Sequence, residues 1–184
     1  MQTKPPLYVD ACSLIDSIKF DVGLLPTDRN SDAWHLKQLM RAHADKSVTI
    51  YTSFLSVAEC VSIEPGQATV PPDIQERFRN LLLSGQYLRL ATPTPRTAMT
   101  CQDLRWKHNL VLRGADMLHI ATALELGCLE FITTDERLKK TKTQDAANVL
   151  ASKRLRIITA KDTALLPSIY GQSSILGTAD ARAK

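Results

Sequence analysis

The sequence predicts an α/β fold in three layers, a central parallel sheet of about five strands between layers of helix. Three observations predict it. Short apolar, β-favouring runs alternate with segments of helical spacing, an order that builds a parallel sheet covered by helices. Two of those runs end directly on an acidic residue, Asp10 and Asp135, and ligands of such sheets gather at the carboxyl ends of the strands. The chain of 184 residues, 44% hydrophobic and 23% charged, has the size and balance of one globular domain with a proper core.

Leu7–Val9 reads as the first strand, and Leu14, Ile15 and Ile18 give residues 11–21 a helical spacing. A polar loop from Pro26 to Asp32 leads to a helix over 32–45, marked by Trp34, Leu36, Leu39, Met40 and Ala44. Residues 47–52 read as the second strand, and Ser53 is placed to cap a helix carrying Phe54, Val57, Ala58 and Val61. The Pro- and Gly-containing stretch 64–73 is a connector. The helix after it, 73–84, stops at Gly85, and 87–91 alternates like a strand. Thr94 and Pro95 read as N-cap and first residue of a helix running to about 112. A helix over 115–126 stops at Gly127, 129–133 is a strand, 135–152 is mostly helix, and 155–159 is the last strand. The domain is expected to span 1–160, with 161–184 a loose or peripheral extension of it.

Four acids stand beside apolar runs. Asp10 follows the first strand, Glu59 lies in the helix after the second, Asp116 opens the apolar segment 117–124, and Asp135 follows the fourth strand. A carboxylate in such a place is costly to desolvate unless it is paired or binds a metal. Each also has a structural explanation to weigh. Asp10 and Asp116 suit helix caps, and Thr133 with Glu136 has the spacing of a capping box. Glu59 is explained least well, at the edge of an apolar face. His119 lies one turn after Asp116, and reads as a hydrogen-bonded histidine more readily than as a ligand. Asp16 and Asp145 read as solvated helix residues. Gathered at one sheet edge, the four acids would suit a hard divalent cation.

Charge is uneven. Residues 1–136 hold 13 Lys/Arg and 16 Asp/Glu, a net of −3, whereas 137–184 hold 10 and 3, a net of +7. The basic stretch between Arg137 and Lys161 suits a polyanion such as RNA, or simply a solvated face. Cys12, Cys60, Cys101 and Cys128 form no Cys-x-x-Cys pair, and no run is apolar enough to span a membrane or to serve as an export signal. The expectation is therefore a cytoplasmic protein with reduced thiols.

The segments Tyr8–Ile15, Thr52–Glu59, Leu112–Leu124 and Phe131–Leu138, in this order and spacing, resemble those of PIN-domain ribonucleases of the VapC type, the toxins of toxin–antitoxin pairs. The resemblance implies a PIN-like fold. It also implies a metal-dependent endoribonuclease in which Asp10, Glu59, Asp116 and Asp135 bind Mg²⁺ or Mn²⁺ and act on an RNA substrate, with a cognate antitoxin protein and a homodimer as possible partners. Two places after the first Asp the family usually carries a small hydroxyl residue or Asn. Here Cys12 stands there, so the supporting hydrogen bond is lost or is carried by Ser13. Thr133 is a second candidate support, and Arg137 and Arg113 are candidate contacts to the RNA backbone.

Other readings remain. One is a PIN-like domain that binds RNA or protein without cutting. A haloacid-dehalogenase-like phosphatase would need an acid where Cys12 stands, and a Rossmann nucleotide binder would need a Gly-rich turn after the first strand.

Overall fold

The structure, a computed structural model, describes residues 6–139 and 144–171. The elements run β1 (Leu7–Val9), α1 (Ala11–Asp21), α2 (Asp32–Ala44), β2 (Ile50–Ser53), α3 (Leu55–Glu59), α4 (Pro72–Leu83), β3 (Arg89–Ala91), α5 (Pro95–His108), α6 (Gly114–Glu125), β4 (Glu130–Ile132), α7 (Glu136–Lys139), α8 (Gln144–Ser152) and β5 (Arg156–Ile158). A 3₁₀ turn (Ala160–Asp162) and α9 (Ser168–Gly171) follow.

The five strands form one parallel sheet in the order β3-β2-β1-β4-β5. The chain moves outward from β1 through β2 to β3, then returns through α5 and α6 to pair β4 on the other side of β1. Because parallel crossovers are right-handed, this reversal moves the covering helices to the opposite face. The strand residues sort accordingly. Leu7 and Val9 pack with Leu14, Ile18, Leu36, Leu39 and Ile74, contributed by α1, α2 and α4. Tyr8 points the other way, among Leu104, Ile120, Ala121 and Leu150 of α5, α6 and α8. Tyr8 also stacks on Phe131 of β4, its register partner, with ring centroids 5.2 Å apart.

The reversal puts a topological switch point between β1 and β4. The carboxyl ends of these two strands are where a crevice opens in such a sheet. Asp10 leaves β1 there and Thr133–Asp135 leave β4 there; the Asp10 N–H donates to the Ile132 carbonyl at 2.9 Å, joining the two exits.

Several element limits differ from expectation for local reasons. The helix expected to run to about 112 stops at His108, because Asn109 adopts the left-handed conformation (φ 50°) that ends helices and that Asn tolerates. α6 begins at Gly114 with Arg113 as its N-cap, so Asp116 sits inside the first turn and does not cap it. The stretch 135–152, expected to be mostly helix, is helical over Glu136–Lys139 (α7) and Gln144–Ser152 (α8), and residues 140–143 lie outside the described set. Phe54 and Val61, expected on an apolar stripe with Glu59 at its edge, are 51% and 61% exposed; α3 is only a single short turn of helix.

Residues 160–171 are tied to the domain. The backbone N–H of Lys161 donates to Asp32, and the Tyr170 hydroxyl donates to Asp45. Thr163 and the Ala164 N–H both donate to Glu130, which is 1% exposed and also accepts from Arg156. The remainder of the expected extension, 172–184, lies outside the described residues. No helix among the described residues is long and apolar enough to cross a membrane.

Candidate active site at the carboxyl edge of the sheet

Asp10 is the N-cap of α1, but its carboxylate does more than cap. Oδ1 accepts from the Ala11 N–H at 2.8 Å, and Oδ2 accepts from the Thr133 hydroxyl at 2.8 Å. The side chain is buried, and burial is the main cause that pushes its carboxyl above the usual range. His119 and the two hydrogen bonds oppose that shift, while the nearby Glu59 adds to it.

Thr133 is the pivot between the two strand ends. Its buried hydroxyl donates to Asp10 and accepts the Asp135 N–H at 3.0 Å. It therefore supports the edge as one of the two expected hydroxyls. Ser13, the other, does not: its Oγ is buried and has no hydrogen-bond partner among the described residues. Thr133→Val keeps the shape but strands the Asp10 carboxylate and the Asp135 N–H. It is expected to lower stability by about 1–3 kcal/mol in urea denaturation, with Thr133→Ser restoring most of the loss.

Asp135 is held by Arg137. Its Oδ1 accepts the Arg137 backbone N–H at 2.8 Å, and the guanidinium bonds both carboxylate oxygens, with Nη2 to Oδ2 at 2.5 Å. These hydrogen bonds hold the Asp135 carboxyl below its ordinary value. Arg137 thus lies at the site but grips an acid of the site, a different task from the phosphate contact expected of it. Asp116, on the first turn of α6, is also within the field of Asp135. Burial is the main cause raising its carboxyl, Asp135 raises it further, and Arg137, Arg113 and His119 pull it back. Arg113 is exposed at the start of α6 and acts on both acids through charge.

Glu59 leaves the end of α3 toward α6, where its Oε2 meets His119 Nε2 at 2.7 Å. The other ring nitrogen, Nδ1, lies 2.6 Å from the Tyr8 hydroxyl. His119 is 1% exposed, Tyr8 is fully buried and Glu59 is partly exposed, so strand β1, helix α6 and helix α3 are joined by one hydrogen-bonded chain that runs from the core toward the surface. A carboxylate only accepts, so Nε2 carries the proton shared with Glu59. Burial keeps the Tyr8 phenol protonated and able to donate to Nδ1. Tyr8 joins this neighbourhood through His119 and was not singled out in the sequence. The available signal was alternation: two places before Asp10 on a strand, it points to the same side.

Cys12 sits among these acids. Its thiol is pushed up to about 12, chiefly by burial and then by Asp10, Asp135, Asp16 and Glu59. Asp16 belongs to the neighbourhood as well, contrary to its reading as a solvated helix residue. It accepts from the Thr134 hydroxyl at 2.7 Å and pairs with Lys19 at 3.2 Å, and a shallow pocket joins Cys12 and Asp16 to Thr134, Asp135 and Arg137.

The donor set is made of hard carboxylate oxygens, which suits a divalent cation of the Mg²⁺ or Mn²⁺ kind. The buried Asp10 carboxylate, raised by desolvation with like-charged Glu59 nearby, is the sort of group a cation relieves. Among the described residues, no three His, Cys, Asp or Glu side chains converge as a metal-holding group. Glu59 is turned to His119 and Asp135 to Arg137. The residues fit a metal in type and neighbourhood, with two of them held by partners.

A parallel three-layer α/β/α fold with acidic residues just past the carboxyl ends of β1 and β4 defines the class to which this protein belongs. The chain is a member of the PIN domain family, whose sequence model matches residues 8–144. PIN domains are generally nucleases, and those nucleases generally use divalent metals. Searches among curated proteins and among solved structures found no match.

Proposed function

We propose that this PIN domain is a metal-dependent endoribonuclease of the VapC toxin type, hydrolysing RNA phosphodiester bonds in the cytoplasm. Asp10, Asp116 and Asp135 would hold Mg²⁺ or Mn²⁺, and Glu59 would bind the metal or orient the attacking water. The observation that carries this reading is the Thr133 bridge, which ties the exits of β1 and β4 so that Asp10 and Asp135 flank one crevice. The bound ion would supply a lowered pKa for water and charge neutralisation at the phosphate. The residues of the chain do the rest. Thr133 orients Asp10, His119 orients Glu59, and Arg113 and Arg137 bring positive charge to the rim where RNA phosphates would approach. Opposed to this excess of acids, a basic antitoxin segment would find complementary charge at the same edge, and a homodimer is the expected free form.

Two observations favour a second reading, a PIN-like domain that binds RNA or protein without cutting. No three acids converge among the described residues, and Cys12 stands where the resemblance calls for a hydroxyl or amide. Sequencing the RNA fragments left after expression of the chain and of its Asp10→Asn variant separates the two. Defined cuts made by the first and missing with the second support the nuclease; identical RNA in both supports the binding module.

A further inference from the structure

A second cleft, of about 650 Å³, opens on the face covered by α1, α2 and α4. Its walls carry Arg29, Lys37, Arg41 and Arg77, with Trp34 and Tyr87 among them. The acid in the lining, Asp21, is engaged by Lys37. Arg29, Arg41 and Arg77 are exposed and make no ion pair among the described residues. Arg41 is steadied by donating from Nη1 to Oε1 of the buried Gln38 at 3.3 Å.

Three exposed guanidinium groups line one cleft whose lining acid is held by Lys37, and an anion in the cleft would relieve their mutual repulsion. Their planar forks match phosphate oxygens. Trp34 and Tyr87 are only partly buried, so each leaves surface for a flat ring, and cations interleaved with aromatic side chains are the pattern that tracks a single strand. An acidic peptide would use the cations and leave the rings idle.

We propose that this cleft binds single-stranded nucleic acid, with phosphates on Arg29, Arg41 and Arg77 and a base against Trp34 or Tyr87. Helix α1 links it to the acidic edge. Asp10 caps one end, Ile18, Phe20 and Asp21 line the cleft at the other, and 11 residues of helix span about 16 Å. A strand anchored in the cleft can therefore extend along α1 to the crevice. This deepens the ribonuclease reading by adding a distal anchor, but the binding itself does not require cleavage.

The test is fluorescence anisotropy of a labelled 12-nucleotide oligouridylate with the full chain in EDTA, across a salt series. Arg41→Gln/Arg77→Gln and Arg41→Glu/Arg77→Glu are compared with the parent, and circular dichroism checks folding. The expected result is an affinity loss of at least about tenfold and a salt slope shallower by about 1.4, the release from two single-strand phosphates. The charge-reversed pair should lose more than the neutral pair. Equal affinity and slope in all three proteins would overturn the proposal. So would a parent that ignores the oligonucleotide but binds a labelled polyglutamate peptide through these arginines. Cleavage assays on the same proteins keep the two readings apart: binding lost at the cleft with no cutting by the parent sinks the nuclease alone, and cutting with unaltered binding sinks the cleft alone.

Discussion

Asp10→Asn is expected to yield a folded protein whose RNA cleavage is reduced by about 10²–10³-fold, the scale on which a single electrostatic group of an active site counts. The amide is nearly the shape of the carboxylate: its oxygen can keep the bond from the Ala11 N–H, while its nitrogen takes the place of Oδ2 and faces the Thr133 oxygen, whose hydroxyl must turn away. That nitrogen is a donor, so the change removes charge more than structure. Metal-free stability should not fall and is expected to rise at neutral pH. Burial raises the Asp10 carboxyl in the folded chain above its ordinary 3.8. A raised carboxyl holds its proton better when folded, so its contribution is lost as pH rises from the unfolded value through the folded one. Asn has no such loss. Thermal melts across that window should therefore show the parent losing stability with rising pH more steeply than the variant. Saturating Mn²⁺ should restore the parent: at about 100 times Kd the gain is about 2.7 kcal/mol, or about 5–10 °C for a chain of this size. The variant should gain far less.

The second large effect is expected at His119. Removing the imidazole in His119→Ala leaves the buried Tyr8 hydroxyl without its 2.6 Å partner and frees Glu59 from its 2.7 Å bond. The stranded Tyr8 hydroxyl costs about 1–3 kcal/mol, whereas Glu59, partly exposed, can turn to water; the melting temperature should drop by several degrees, and cleavage should fall because Glu59 is no longer aimed. Tyr8→Phe removes only the outer donor. It should cost less stability and leave the Glu59 contact in place. Because the three side chains form one chain of bonds, the Tyr8→Phe/His119→Ala double variant should be less damaging than the sum of the two singles, a coupling that a denaturation cycle measures. Additive losses would mean that Tyr8 and His119 act separately.

What was legible in the sequence was legible because it is local. Strand ends followed by acids, a Thr-Pro helix start at 94–95 and stops at Gly85 and Gly127 are written in neighbouring residues, and the parallel sheet follows from their alternation. What was hidden depends on distance along the chain. The bond between Glu59 and His119 spans 60 positions and that between Tyr8 and His119 spans 111, and both exist only because the return from β3 to β4 lays α6 beside β1 and α3. Likewise Arg29, Arg41 and Arg77 form no cluster in the sequence and share a cleft only after α2 and α4 pack on α1. The basic stretch near the C-terminus, conspicuous by composition, proved partly committed: Arg137 grips Asp135 and Arg156 grips Glu130. Its Lys140 and Lys142 lie outside the described residues. Local charge density identified cations, whereas the fold decides which of them are unpaired.

The acids at the switch point are proposed to form a site for a divalent metal. Calorimetric titration of Mn²⁺ into the purified chain tests this most directly, with Asp10→Asn as the comparison. The expected result is saturable binding at millimolar metal or below, weaker as pH falls toward the raised carboxyls of Asp10 and Asp116, and weakened or abolished by the substitution. No heat of binding at millimolar Mn²⁺, or binding that Asp10→Asn leaves unchanged, would contradict it.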